Sequence, residues 1–295
     1  MPGGCLKRLL KGIVINMQFH RYSDVETLKA DIFDALLENE TQNNLLLSII
    51  TDSKTIRATD ALMATLTDQG RVVLAAFWAK PFNLLLYAPE NSPEDCMEQF
   101  AHEILKFGID MPGVLAERSL ARRFVKSYCA GSGSRLHQSM TIMRLDRLAE
   151  YKKAPGFCRV LGESDMFFVP FWERAFSEDC RVQVFSIPEN IKRVRSRLGK
   201  NTHFLWEDGA PVSQAVHGRD TPNGAVINWV YTPPHLRGRG YATSVVAELS
   251  KSLLDSGKRF CCLFADSENM TSRKIYQNLG YYDVCTFDEI HFQKI

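Results

Sequence analysis

"INWVYTPPHLRGRGYATSVVAELS", Ile227–Ser250, decides the fold. It runs from an apolar, β-branched stretch through Pro233-Pro234 into Arg237-Gly238-Arg239-Gly240-Tyr241-Ala242. Apolar residues follow at Ala242, Val245, Val246, Leu249 and Leu253, the spacing of one helix face. A helix that starts inside a glycine-rich turn presents its first, internally unpaired amides at the positive end of its dipole, which favours an anion. Glycine lets a phosphate approach the backbone, and arginine adds a charged, bidentate fork. A bare RGRG reads first as an ordinary helix entry with solvated arginines. The strand before it, the proline break and the helix after it shift the reading to an anion site. No Gly-Lys-Ser/Thr follows, so it is not a Walker A loop, and it lacks the Gly-x-Gly-x-x-Gly of a dinucleotide fingerprint.

Downstream, "RFCCLFAD" reads as a strand, "MTSRKIYQNLG" as a helix and "VCTFDEIHF" as a closing strand. Upstream lie three strands, "HFLWE", "PVSQAVHG" and "AVINWVYT", the first two joined by a turn at Asp208-Gly209. Before them come two helices, "ESDMFFVPFWERAFSE", with a kink or early break expected at Pro170, and "PENIKRVRSRLG". The earlier part opens with a strand near Gln18–Arg21 and a helix over about 24–38 capped by Ser23 or Asp24. "TQNNLLLSIITDS" turns from polar to apolar. Strands "RVVLAAFWA" and "NLLLYA" follow, then a helix in "SPEDCMEQFAHEILKFG" with Ser92 as expected N-cap and Pro93 at the first helical position. Strand "GVLAE", helix "RSLARRFVKSYCA" and strand "QSMTIMRL" complete this part.

The same order of elements therefore occurs twice, which points to a degenerate internal duplication in an α/β protein with mixed sheets. The expected boundary is "EYKKAPGFCRV", where charge gives way to Pro155-Gly156. The expected division is a disordered N-terminal extension over 1–16, one domain over 17–153 and a second over 154–295. Met17 reads as the natural start, because strand, cap and helix follow at once.

At 295 residues there is room for two domains and their cores. A net charge of +2 gives no global support for nucleic-acid or membrane binding. The longest apolar runs, "NLLLSII" and "VVLAAFW", are too short to span a bilayer. Eight cysteines form no CxxC pair and no Cys/His cluster, so they read as reduced core residues of a cytoplasmic protein without a metal site. Cys261 and Cys262, adjacent on a strand, are expected to face opposite ways.

Arg237-x-x-Gly240-x-Ala242 resembles the Q/R-x-x-G-x-G/A signature of the GCN5-related N-acetyltransferases, which cradle the pyrophosphate of acetyl-coenzyme A. "LFADSENMTSRKIYQNLGYYDV" resembles the second signature of that superfamily: a strand, an Asn, then a helix ending Tyr-x-x-x-Gly-aromatic. Together they are similar to a bacterial group of acetyltransferases, from which Met270 and Arg273 depart at positions where proline and asparagine are common. The resemblance is specific over roughly 200–295 and weak before 155.

It implies a tandem acyl-coenzyme A N-acyltransferase fold, with acetyl-coenzyme A as co-substrate. It further implies that the pyrophosphate lies on the turn Arg237, Gly238, Arg239, Gly240, Tyr241, Ala242 and Thr243. The strand Val230-Tyr231-Thr232 would splay from its neighbour and pair with the pantetheine arm, and Asn269 and Ser272 would add side-chain hydrogen bonds. Tyr276 occupies the position where the superfamily often has its general acid; the plainer reading is an aromatic packed on the sheet. Glu207, His217, Asp220 and Asp266 lie near strand ends as candidate bases. None is assigned, since many such enzymes deprotonate the amine through water.

The matching junction of the first half, "NLLLYAPENSPEDCMEQF", has no glycine turn, and Glu90, Glu94 and Asp95 would repel a pyrophosphate. Val125 stands where the second half has Tyr276. Arg118, Arg122, Arg123 and Lys126 read as a solvated helix face. The expected activity is acetyl transfer to a primary amine of a small molecule or peptide, with a homodimer possible. The alternatives are transfer of a longer acyl group, as in glycine N-acyltransferases, and a silent acyl-coenzyme A sensor.

Overall fold

A computed structural model describes residues 17–52, 61–129 and 133–293; the extension expected over 1–16 lies outside the described residues. In chain order the elements begin with β1 (Gln18–Arg21), α1 (Val25–Leu37), α2 (Asn44–Asp52), β2 (Ala61–Asp68), β3 (Arg71–Ala79) and β4 (Leu84–Tyr87). They continue with α3 (Cys96–Leu105), β5 (Gly113–Glu117), α4 (Arg118–Tyr128), β6 (Ser134–Leu145) and β7 (Phe157–Val160). Next come α5 (Val169–Asp179), α6 (Ile187–Arg195), β8 (His203–Glu207), β9 (Pro211–Asp220) and β10 (Gly224–Tyr231). The last are α7 (Tyr241–Asp255), β11 (Phe260–Asp266), α8 (Met270–Asn278) and β12 (Tyr282–Phe292). Among the described residues no helix is long and apolar enough to cross a membrane.

The described residues form two compact units, one of residues 17–38, 61–129, 133–135 and 289–293 and the other of residues 39–52 and 136–288. In the first, β1 to β4 form an antiparallel meander, and β5 then pairs parallel with β4. A parallel step needs a crossover, and α3 supplies it. The core is built from alternate strand residues such as Leu62, Leu66 and Leu74 against Phe100 and Phe124 of the helices. The last turns of the chain lie beside β5: Phe292 N–H donates to Pro112 O at 3.0 Å, and a Cβ at Gly113 would meet Ile290 O at 2.3 Å. Asp24 caps α1 by accepting from Thr27 N–H at 2.8 Å. Ser92 does not cap α3. Its hydroxyl donates to Val73 O and Pro89 O, holding the turn, and the helix starts only at Cys96. A serine hydroxyl that satisfies nearby carbonyls favours a turn over a helix start.

The second unit repeats this plan. β7 to β10 form an antiparallel meander, β11 pairs parallel with β10 after crossover α7, and β6 pairs antiparallel with β11. One face of the sheet carries Trp206, Ala215 and Ile227 under Val245 and Leu249 of α7, while Leu205 packs under Val169 of α5 and Val194 of α6. The expected break at Pro170 is present: a 3-10 turn over Glu163–Phe167 ends at Phe168, and Pro170 falls in the first turn of α5, where its missing N–H costs little.

Pro155-Gly156 is a packed turn. Trp206 Nε1–H donates to Pro155 O at 2.7 Å, and a Cβ on Gly156 would lie 2.1 Å from Glu207 O. The segment containing α2 docks on β6, β9 and the start of β10 through polar side chains: Asn223 donates to Glu40, Arg144 to Thr41 and Arg219 to Asn44. No disulfide joins the seven described cysteines. Cys261 faces the α7 core and Cys262 the opposite side, where burial pushes its thiol up to about 12.

Candidate active site

The site is organised by two backbone irregularities of β10. Its pairing with β11 covers only Gly224–Val226 against Phe260–Cys262, although β11 continues to Asp266 along β6. Past Val226 the two parallel strands part, and β10 stays with β9 as far as Tyr231. The second irregularity is a bulge between Asn228 and Tyr231, with Trp229 at φ +53°. In unbroken alternation Trp229 would follow Ala225 and Ile227 onto the α7 face. The bulge turns it to the other side, where its ring lies 5.0 Å from Phe176 of α5, and Tyr231 follows it, 6.0 Å from Trp172. Val230 then faces the α7 core, and Thr232 is buried with its hydroxyl 2.8 Å from that of Ser213.

A polar relay fixes the bulge. Gln214 Nε2–H donates to Trp229 O at 3.3 Å, and Gln214 Oε1 takes a hydrogen bond from Nε2 of the buried His203 at 3.3 Å. Burial, with the Arg197 charge nearby, pushes the His203 pKa down to about 3, so the ring is neutral.

Beyond the strand, Gly238 (φ +78°) and Gly240 (φ +81°) form the turn into α7. No side chain caps this helix, and its first internal bond is Ser244 N–H to Gly240 O. The amides of Tyr241, Ala242 and Thr243 precede that bond and lie where a helix holds an anion. A Cβ on Gly238 would meet nothing within 4 Å, so the approach is open. Tyr241 is anchored by its hydroxyl on Asp208 at 2.6 Å. The turn therefore has the free donors and space that a pyrophosphate needs.

Arg237 and Arg239 are both exposed, and Arg237 donates from Nε to Thr232 O at 2.9 Å and pairs with Asp179 at 2.5 Å. Asn269 caps α8 by accepting from Ser272 N–H at 3.1 Å, and Ser272 Oγ donates to Asn269 O, so the two hold each other.

Tyr276 is buried in the α7 core, 5.9 Å from the Tyr281 ring, with no hydrogen bond to its hydroxyl among the described residues. Burial, then the neighbouring Cys180, pushes its pKa up. The candidate bases are all occupied: Glu207 with Arg159, His217 with Asp220, Asp220 also with Lys258, and Asp266 with Arg181.

Three features carried no local sequence signal. The turn ending α5 ties Asp179 to Arg237 and Arg181 to Asp266, which are residues on either side of the splay. Cys180 lies within that turn, its thiol pushed up to about 11, chiefly by burial. The bulge is the third; a tryptophan in the left-handed region is not something a β-branched run announces.

Residues 208–288 match the FR47-like protein family. The whole fold is similar to a GCN5-related N-acetyltransferase from Sphaerobacter thermophilus, at TM-score 0.65 and 15% identity over 93% of this chain and 95% of that one. A GNAT-family acetyltransferase from Colwellia psychrerythraea aligns at TM-score 0.59 and 12% identity, over 94% of this chain and 100% of that one. A tandem GNAT protein from the clavulanic acid biosynthesis pathway aligns at TM-score 0.55 and 13% identity, over 94% and 98%. No curated protein sequence matches the chain. With a splayed parallel strand pair and a glycine turn opening α7, this chain has the fold of the GCN5-related N-acetyltransferases, and its segment 208–288 matches the FR47-like family.

Proposed function

We propose that the second unit transfers an acetyl group from acetyl-coenzyme A to a primary amine of a small molecule or peptide, by direct attack in a ternary complex. The observation that carries this reading is the parting of β10 from β11 beyond Val226, directly before the glycine turn. The amides that open α7, from Arg239 to Thr243, hold the pyrophosphate. The parted edge at Val230-Tyr231-Thr232 pairs with the pantetheine arm and aims a backbone amide at the thioester carbonyl, where negative charge grows during attack. Held in that geometry, donor and amine react without the entropic cost of a bimolecular encounter.

Tyr276 keeps its proton at neutral pH, because burial disfavours the phenolate, and it can hand that proton to the departing thiolate. Asn269 and Ser272 set the start of α8 beside the same cleft. With its four carboxylate and imidazole candidates already paired, the site suits loss of the amine proton through water. The first unit keeps the fold without a glycine turn, and Glu90, Glu94 and Asp95 precede its α3. It serves as scaffold rather than as a second cofactor site.

The test is release of free coenzyme A when the full chain and acetyl-coenzyme A meet a panel of amines, amino acids and peptides. Amine-dependent thiol release is the expected result. Tight coenzyme A binding with no release for any amine would mark a sensor and overturn the enzymatic reading.

A further inference from the structure

Arg193, near the end of α6, has an incomplete environment. Its guanidinium lies 4.2 Å from the ring centre of Phe185 and 5.3 Å from that of Trp229, the residue that the bulge turns toward α5 and α6. It has no ion-pair partner among the described residues. Arg197, one turn on, lies 5.8 Å from the same Trp229 ring and is paired with Glu173, whose side chain is fully buried. Glu173 is one negative charge facing two guanidiniums, and its second oxygen has no hydrogen-bond partner. The other carboxylate that Arg193 feels, Glu189, is committed to the N-cap of α6 through Ser186 N–H and Oγ. Arg193 therefore has carboxylates in its field but no direct ion pair among the described residues, and its guanidinium is half-buried against aromatic rings.

Aromatic contacts desolvate a guanidinium's face and leave its N–H edge as the place for an acceptor. The group that fits a planar fork is a carboxylate, which takes two parallel N–H···O bonds. We infer that Arg193 anchors a carboxylate on the amine acceptor, so that the acceptor is an amino acid or a short peptide with a free acid group. This rests on the acetyl-transfer reading for its chemistry, but not for the binding it claims. The acid is held by α6 on one side of Trp229, and the amine points along β10 toward the parted strands.

Two measurements on the full chain separate the inference from that reading. In the first, a panel of N-acetyl amino acids and their N-methylamides is titrated into protein saturated with coenzyme A, with tryptophan fluorescence as readout. The free-acid forms are expected to bind roughly 10- to 100-fold more tightly than the amides, the range of a charged bidentate bond. Arg193→Met should abolish that difference and leave coenzyme A affinity unchanged, and Arg193→Lys should restore part of it, since a point charge replaces the fork. In the second, KM for amino acids should rise about as much in Arg193→Met with kcat little changed. Equal binding of acids and amides by the native chain would overturn the anchor, as would an Arg193→Met chain that still prefers acids. Acid-selective binding lost in Arg193→Met, with no coenzyme A release from any amine, would uphold the anchor and sink the acetyl-transfer reading alone.

Discussion

Tyr276 and His203 show how burial assigns protonation states at the residue scale. Tyr276 has its pKa raised, so no alkaline fall in rate from loss of its proton is expected in the ordinary assay range. Tyr276→Phe should lower kcat by about 10²-fold or more, the lower end of general-acid effects, while coenzyme A affinity holds. Unchanged kcat in steady-state assays would leave Tyr276 as a packing residue. His203 has its pKa depressed from 6.5 to about 3. Below pH 6.5 the unfolded chain takes up a proton that the folded ring refuses, so this group's contribution is present above pH 6.5 and is lost as pH falls toward 3. Between pH 6.5 and about 5 that loss amounts to about 2 kcal/mol. Denaturant melts across that window should show the slope, and His203→Gln, which keeps a donor for Gln214, should flatten it.

Elements were largely legible in the sequence, because caps, prolines and periodicity act locally. Asp24, Pro170 and the apolar face from Ala242 to Leu253 each placed a helix start or stripe. Ser92 misled, because its hydroxyl had two carbonyl partners brought near by the β3–β4 meander, which no local pattern reveals. The bulge at Trp229 was hidden for a related reason: it depends on Gln214 and His203 from other strands. The glycine turn, by contrast, was readable because its backbone demand is met by residue type. Gly240→Ala should cost about 1 to 2 kcal/mol from the left-handed backbone alone, since its new Cβ would sit 3.7 Å from Ala154 Cβ, an ordinary contact. It should also raise the Kd for coenzyme A in a direct titration. An alanine variant with native stability and affinity would show that the positive-φ entry is not needed.

For the whole molecule, the order of elements recurs as the sequence suggests, but the strands are shared out in a way that order does not encode. Residues 289–293 belong with the first unit and residues 136–153 with the second, as do residues 39–52. These groupings rest on contacts between segments far apart in sequence, such as Asn83 with Glu289 and Arg219 with Asn44, and periodicity carries no information about them. Chains cut between 153 and 154 should therefore each lack a piece: fragment 17–153 loses Phe292 and Ile290 beside β5, and fragment 154–295 loses β6 beside β11. Expressed separately, both should unfold without a cooperative transition in calorimetry; expressed together they should regain one. A cooperative transition in fragment 17–153 alone would contradict this.

The position of Ile290 and Phe292 also sets a timetable for synthesis. A ribosome makes the meander, helices and core of the first unit early, yet that unit waits for the residues after Asp288 before the edge at Gly113 is covered. During that interval β5 is an open edge on a nascent chain, the kind of surface that pairs with the wrong strand. The second unit, including the glycine turn, is almost wholly translated before the first can close.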